Sequence, residues 1–105
     1  MQNQEIINDI IENLEELTVK KNDPQVKQLI HTIGRLISRL KLNDKKKSMA
    51  LAKISNDLKT AEASESQFYS LNNPGTKKIL YSSGFYQSIN ILKEELITLL
   101  STLKN

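Results

Sequence analysis

The chain has 105 residues and a net charge of +3, enough for one domain with one core. It has no cysteine, which excludes disulfides, thiolate metal sites and a cysteine nucleophile. No apolar run approaches the roughly 20 residues that cross a bilayer, and the acidic start Met1-Gln2-Asn3-Gln4-Glu5 lacks the basic lead of a signal peptide. The sequence therefore predicts a soluble, cytoplasmic protein.

Four helical segments are predicted, with no competing strand pattern. The first covers about Gln4 to Lys20, with Ile7, Ile10, Ile11, Leu14 and Leu17 recurring at helical spacing. Its acids come early and Lys20-Lys21 close it, both favourable to the helix dipole. Asn22-Asp23-Pro24 is a helix start: Asp23 can cap, and Pro24 fits the first helical position, where its missing N–H costs nothing. The second helix reaches about Lys41 with a broad stripe of Val26, Leu29, Ile30, Ile33, Leu36, Ile37 and Leu40. Gly34 interrupts it at a cost of up to about 1 kcal/mol against Ala, which suggests a close approach of another helix.

Leu42-Asn43-Asp44 is the next break, with Asn43 or Asp44 as cap. The third helix begins near Lys45 and carries Ala50 or Leu51, Ile54, Leu58 and Ala61 on one face. Its continuation, Thr60 to Gln67, is small and polar; it can stay helical by propensity but has little to bury, and is expected to be the weakest part. Asn72-Asn73-Pro74-Gly75 predicts a tight reversal. Residues Thr76 to Tyr81 fit either a short helix or the first turns of a long one. In the last helix Phe85, Ile89, Leu92, Leu96, Leu99 and Leu103 step by four and three, while Ile79 and Leu80 are out of phase. The last helix is therefore expected to be kinked or interrupted near residues 82–84.

Short connections make neighbouring helices antiparallel, so the expected fold is an all-α, antiparallel four-helix bundle. Its expected core is Ile10, Leu14, Leu29, Ile33, Leu36, Ile54, Leu58, Ile89, Leu92, Leu96 and Leu99. The heptad spacing of the last helix also fits a dimeric coiled coil, but it runs for fewer than three heptads.

Catalytic parts are missing. His31, the single histidine, lies between Lys27 and Arg35 on a polar helix face. Glu94 and Glu95 point about 100° apart on a helix and cannot share a proton or a metal. Glu12, Glu15 and Glu16 share a face without a further ligand type, and Gly75 and Gly84 form no phosphate cradle. Neither enzyme activity nor a cofactor is expected.

Charge and aromatics are the features left for recognition. Residues 1–16 hold Glu5, Asp9, Glu12, Glu15 and Glu16 and no base; Arg39, Lys41, Lys45, Lys46 and Lys47 surround the break between the second and third helices. Lysines at a helix start oppose its dipole, a local cost that argues for a use. A solvated surface is the plainest reading. As a functional reading, attraction to an anionic membrane face is at least as good as nucleic acid, which is not expected because no aromatic is interleaved to stack on bases. All five aromatics, Phe68, Tyr69, Tyr81, Phe85 and Tyr86, cluster around the predicted turn. They either close one end of the core or form a partner-binding surface, and tyrosine can do both.

Phe85-Tyr86-Gln87, Glu94-Glu95-Leu96-Ile97 and Leu100-Ser101-Thr102-Leu103 resemble the final helix of the enterocin A type immunity proteins. The likeness extends to the acidic first helix, Asp23-Pro24 and the aliphatic helix from Val26 to Leu40, about two thirds of the chain. Two features depart from the family pattern: a longer region before Glu94 and an end at Asn105 without the C-terminal tail of many members. The resemblance implies a cytosolic protein that protects producers of pediocin-like (class IIa) bacteriocins. Its implied partner is the membrane part of the mannose phosphotransferase permease with the bacteriocin bound. The rival readings are a helical nucleic-acid-binding or regulatory protein using the basic middle, and a dimeric helical adaptor.

Overall fold

A computed structural model describes residues 3–17, 23–72 and 81–103; for Asp23 and residues 68–72 it describes the backbone alone. Four helices are present: α1 (Asn3–Leu17), α2 (Asp23–Arg39), α3 (Lys45–Asn72) and α4 (Ser83–Ser101). No strand occurs among the described residues. The end of the second helix, the start of the third and the bounds of the last are matched to within a few residues, whereas the expected end of the first, at about Lys20, lies outside the described residues. The reversal at Pro74-Gly75, the segment Thr76 to Leu80 and the basic pair Lys20-Lys21 lie outside the described residues.

The helix ends follow from local chemistry. Asp44 is the cap of α3: its Oδ1 accepts from the N–H of Lys46 at 2.9 Å and of Lys47 at 3.3 Å. A carboxylate there satisfies two of the four free donors and offsets the misplaced lysines. Ser82 caps α4, its Oγ accepting from the N–H of Phe85 at 3.0 Å. The break in apolar phase at residues 82–84 is therefore a helix start.

Each helix packs on its neighbours in the chain, and α1 meets α4 over a shorter stretch to close the ring; the diagonal pairs stay apart. The Asn3 amide bridges the start of α1 to the end of α2, donating to the Lys41 carbonyl at 2.9 Å and accepting from its N–H at 3.3 Å. This is an antiparallel four-helix bundle, 48 × 21 × 19 Å. The 28 residues of α3 run about 42 Å, while α2 and α4 reach only about 25–28 Å.

The core is aliphatic, with Ile7, Ile10, Leu14, Leu17, Val26, Ile33, Leu51, Leu58, Ile89, Leu96 and Leu100 fully buried. Of the expected core, Leu29, Leu92 and Leu99 are only half-buried against it. In α4 the inward stripe runs through Phe85, Ile89, Leu96 and Leu100. An unsupercoiled helix drifts about 20° per heptad from a strict seven-residue repeat, which turns Leu100 inward in place of Leu99; Leu103 lies past the end of α4. Gly34 marks the close approach of α2 and α3. A Cβ there would stand 3.2 Å from the Ser55 Oγ and 3.3 Å from the Lys59 Cε.

Candidate functional site

The expected aromatic surface divides on folding. Tyr81 is 8 % exposed and Phe85 4 % exposed, so both rings belong to the core; Tyr86 is half-buried beside them. The three rings form one cluster, with centroids 4.6 Å apart for Tyr81–Phe85, 5.4 Å for Phe85–Tyr86 and 6.4 Å for Tyr81–Tyr86. The last two pairs meet edge to face, the geometry that the ring quadrupoles favour. Of this trio Tyr86 has the most surface to offer a partner. The side chains of Phe68 and Tyr69 lie outside the described residues.

The Tyr81 hydroxyl does not reach solvent. It donates to Glu62 Oε2 at 2.6 Å, and Glu62 is itself only 6 % exposed. One turn further along α3, Glu65 Oε1 accepts from the Ser82 N–H at 2.7 Å. Two carboxylates of the small polar stretch thus hold the first turn of α4. A charged acceptor forms shorter, stronger hydrogen bonds than a neutral one, and a carboxylate near a helix N-terminus also meets a favourable dipole. Sequence reasoning alone misses Glu62 and Glu65. The available signal is their place on the inner stripe of α3, four and seven residues beyond Leu58.

Arg39, Lys41, Lys45 and Lys46 are exposed, and Lys47 is half-buried at the same end of the bundle. Among the described residues none of these five forms an ion pair. The basic surface is larger than this end. Lys27, His31 and Arg35 continue it along α2, and Lys53 and Lys59 along α3, all exposed. Among the described residues Lys53 pairs with Asp57 at 3.5 Å on the surface, where the pair contributes little. On the opposite side, Glu5, Glu12, Glu15 and Glu16 of α1 and Glu94 and Glu95 of α4 are exposed. Folding turns charge blocks in the sequence into opposite faces: α2–α3 basic, α1–α4 acidic.

Two large apolar side chains stand out on this surface: Met49, 71 % exposed, and Ile91, 62 % exposed. Met49 projects from the basic outer face of α3, one turn from Lys45 and one from Lys53. Ile91 and Leu99 line a shallow groove of about 560 Å³ on α4, bordered by Glu94 and Glu95. Another groove, of about 310 Å³, lies between α2 and α3 and is lined by Ser38, Leu40, Leu42, Ser55 and Lys59 among others. Among the described residues no cluster of three His, Cys, Asp or Glu is placed to hold a metal ion. No helix of the described residues is long and apolar enough to cross a membrane. No family model, curated protein or solved structure matches the chain.

Proposed function

We propose that this protein is a non-enzymatic immunity protein of the enterocin A type, protecting a cell against a pediocin-like bacteriocin. It acts from the cytosolic side of the membrane on the mannose phosphotransferase permease that the bacteriocin has engaged. The observation that carries this reading is the last helix, from Phe85-Tyr86-Gln87 through Glu94-Glu95-Leu96-Ile97 to Leu103. The order of an acidic helix, Asp23-Pro24 and an aliphatic helix ending in bases supports it. Blocking an assembled pore needs a rigid body with a contact surface and no catalytic group. The bundle supplies the rigid body. Tyr86 and the outer face of α4 supply the contact, with Phe68 and Tyr69 proposed from the sequence as further partner-binding residues, and the basic surface draws the protein to the anionic leaflet.

The basic α2–α3 face also favours a second reading, a helical nucleic-acid-binding regulator. Salt-dependent retention on DNA separates the two. The dimeric adaptor has less to build on, because Leu96 and Leu100 of the α4 stripe face the bundle's own core.

The deciding experiment is expression in the cytosol of a sensitive cell. Resistance should rise toward one or a few pediocin-like bacteriocins and stay unchanged toward unrelated pore formers. Tyr69→Ala and Tyr86→Ala should weaken protection more than they lower thermal stability. Failure to protect against every member of a broad bacteriocin panel overturns the proposal.

A further inference from the structure

We infer that the protein docks side-on to an anionic lipid surface, with the α2–α3 face lying flat and Met49 entering the bilayer interface. This rests on the peripheral membrane contact in the reading above, and goes beyond it in orientation and anchor. Attraction through Arg39 to Lys47 alone would stand the bundle on its end. The structure offers a longer surface. The Lys59 ammonium would stand 3.4 Å from a Cβ placed on Gly34, which sets it across the α2–α3 groove beside Arg35. From Lys45 to Lys59 the basic residues of α3 extend about 21 Å along the bundle.

The occupant follows from charge and from Met49. A surface carrying Arg35, Arg39, Lys45, Lys46 and Lys59, none of them ion-paired among the described residues, complements a negative plane, and the exposed acids of α1 and α4 belong to the other two helices. Phosphates of a nucleic acid would answer this charge equally well, but they give an exposed methionine nothing to bury. A lipid interface does. Met49 lies one turn from Lys45 and one from Lys53, so the ammonium groups can reach headgroups while the thioether descends between them. Lysine stems next to an apolar side chain at an interface satisfy both parts of the side chain.

The test uses the full chain, unilamellar vesicles of phosphatidylcholine with or without phosphatidylglycerol, and three variants. Because the sequence contains no tryptophan, Met49→Trp is a single reporter whose emission should shift to the blue on phosphatidylglycerol vesicles and stay unchanged with phosphatidylcholine alone. Arg35→Gln with Lys59→Gln should lower vesicle affinity by about tenfold or more, at about fivefold per basic residue near the surface. Lys45→Gln with Lys46→Gln should do the same, and circular dichroism should show each variant folded. An unshifted emission from the Met49→Trp protein with binding retained overturns the anchor. Loss of binding confined to the Lys45/Lys46 variant overturns the side-on orientation, as does parental binding by both charge variants. Retention on duplex DNA without vesicle binding assigns the face to nucleic acid, and a concentration-dependent mass abolished by the Arg35/Lys59 variant assigns it to a second copy; each overturns the lipid assignment. The vesicle result is independent of the protection assay, so failure here leaves the immunity reading to that assay.

Discussion

The two halves of α3 bury different chemistry against the rest of the bundle. Its first half presents Leu51, Ile54 and Leu58 to the core, all apolar. One and two turns later the same inner stripe carries Glu62 and Ser66, both buried. Aliphatic contact has no preferred direction and would tolerate α4 sliding along α3 by a fraction of a turn. Hydrogen bonds do not: Tyr81 to Glu62 and Ser82 to Glu65 fix where α4 begins. The first half supplies stability and the second sets register.

The largest expected effect lies in the apolar half. Leu58→Ala and Leu96→Ala each remove a fully buried side chain and should cost about 2–5 kcal/mol in chemical denaturation. Leu100→Ala should fall in the same range, while the half-buried Leu92 and Leu99 should cost less. A ranking with Leu99→Ala above Leu100→Ala would mean that α4 follows the strict heptad after all.

The polar half gives the next effect. Tyr81→Phe keeps the ring and removes the donor from a buried carboxylate, which should cost about 1–3 kcal/mol because Glu62 then lacks one of its partners. The signature should be local as well as global. Amide exchange in the first turn of α4, around Phe85 and Tyr86, should accelerate in Tyr81→Phe beyond the change at Leu96. Uniform acceleration along α4 would show that the joint adds stability without setting register.

The same contrast explains what could be read from the sequence. Apolar period alone located all four helices, most of the α2 stripe and the break at residues 82–84. It misjudged sides where the period itself was the question: Ile6 is buried and Ile11 only half-buried, and Leu100 displaces Leu99. The polar joint left no apolar trace. Thr60 to Gln67 reads as filler until Tyr81, 19 residues from Glu62, folds back onto it. The charge blocks were visible in order along the chain, but only ring closure by α1 and α4 makes them opposite faces.

Gly34 sharpens the comparison from the α2 side, where a small residue permits the close approach. Gly34→Ala gains up to about 1 kcal/mol of helix propensity and spends part of it on a Cβ placed 3.2 Å from the Ser55 Oγ. The net change in melting should therefore be small. Gly34→Ala with Ser55→Ala should be more stable than Gly34→Ala alone, since the tight contact is gone. Gly34→Val should cost about 1–3 kcal/mol by forcing the helices apart. A destabilisation by Gly34→Ala as large as that of Gly34→Val would mean that Ser55 and Lys59 cannot give way.

The smallest effect is expected from the first turn of α3. Replacing Lys45, Lys46 and Lys47 together by Gln removes three charges that oppose the helix dipole, and none of them is paired among the described residues. Exposed charges at such sites are worth a few tenths of a kcal/mol each. Asp44 continues to cap through the Lys46 and Lys47 backbone N–H groups, which the substitution leaves in place. Stability should then hold or rise by less than about 1 kcal/mol, with a smaller dependence on salt than in the parent. Attraction to anionic vesicles should fall in the same variant. A surface that weakens folding while strengthening attachment is what a recognition face requires, and the two measurements on one protein separate that from a merely solvated helix end. Lost stability would instead show that the half-buried Lys47 packs its stem against the core.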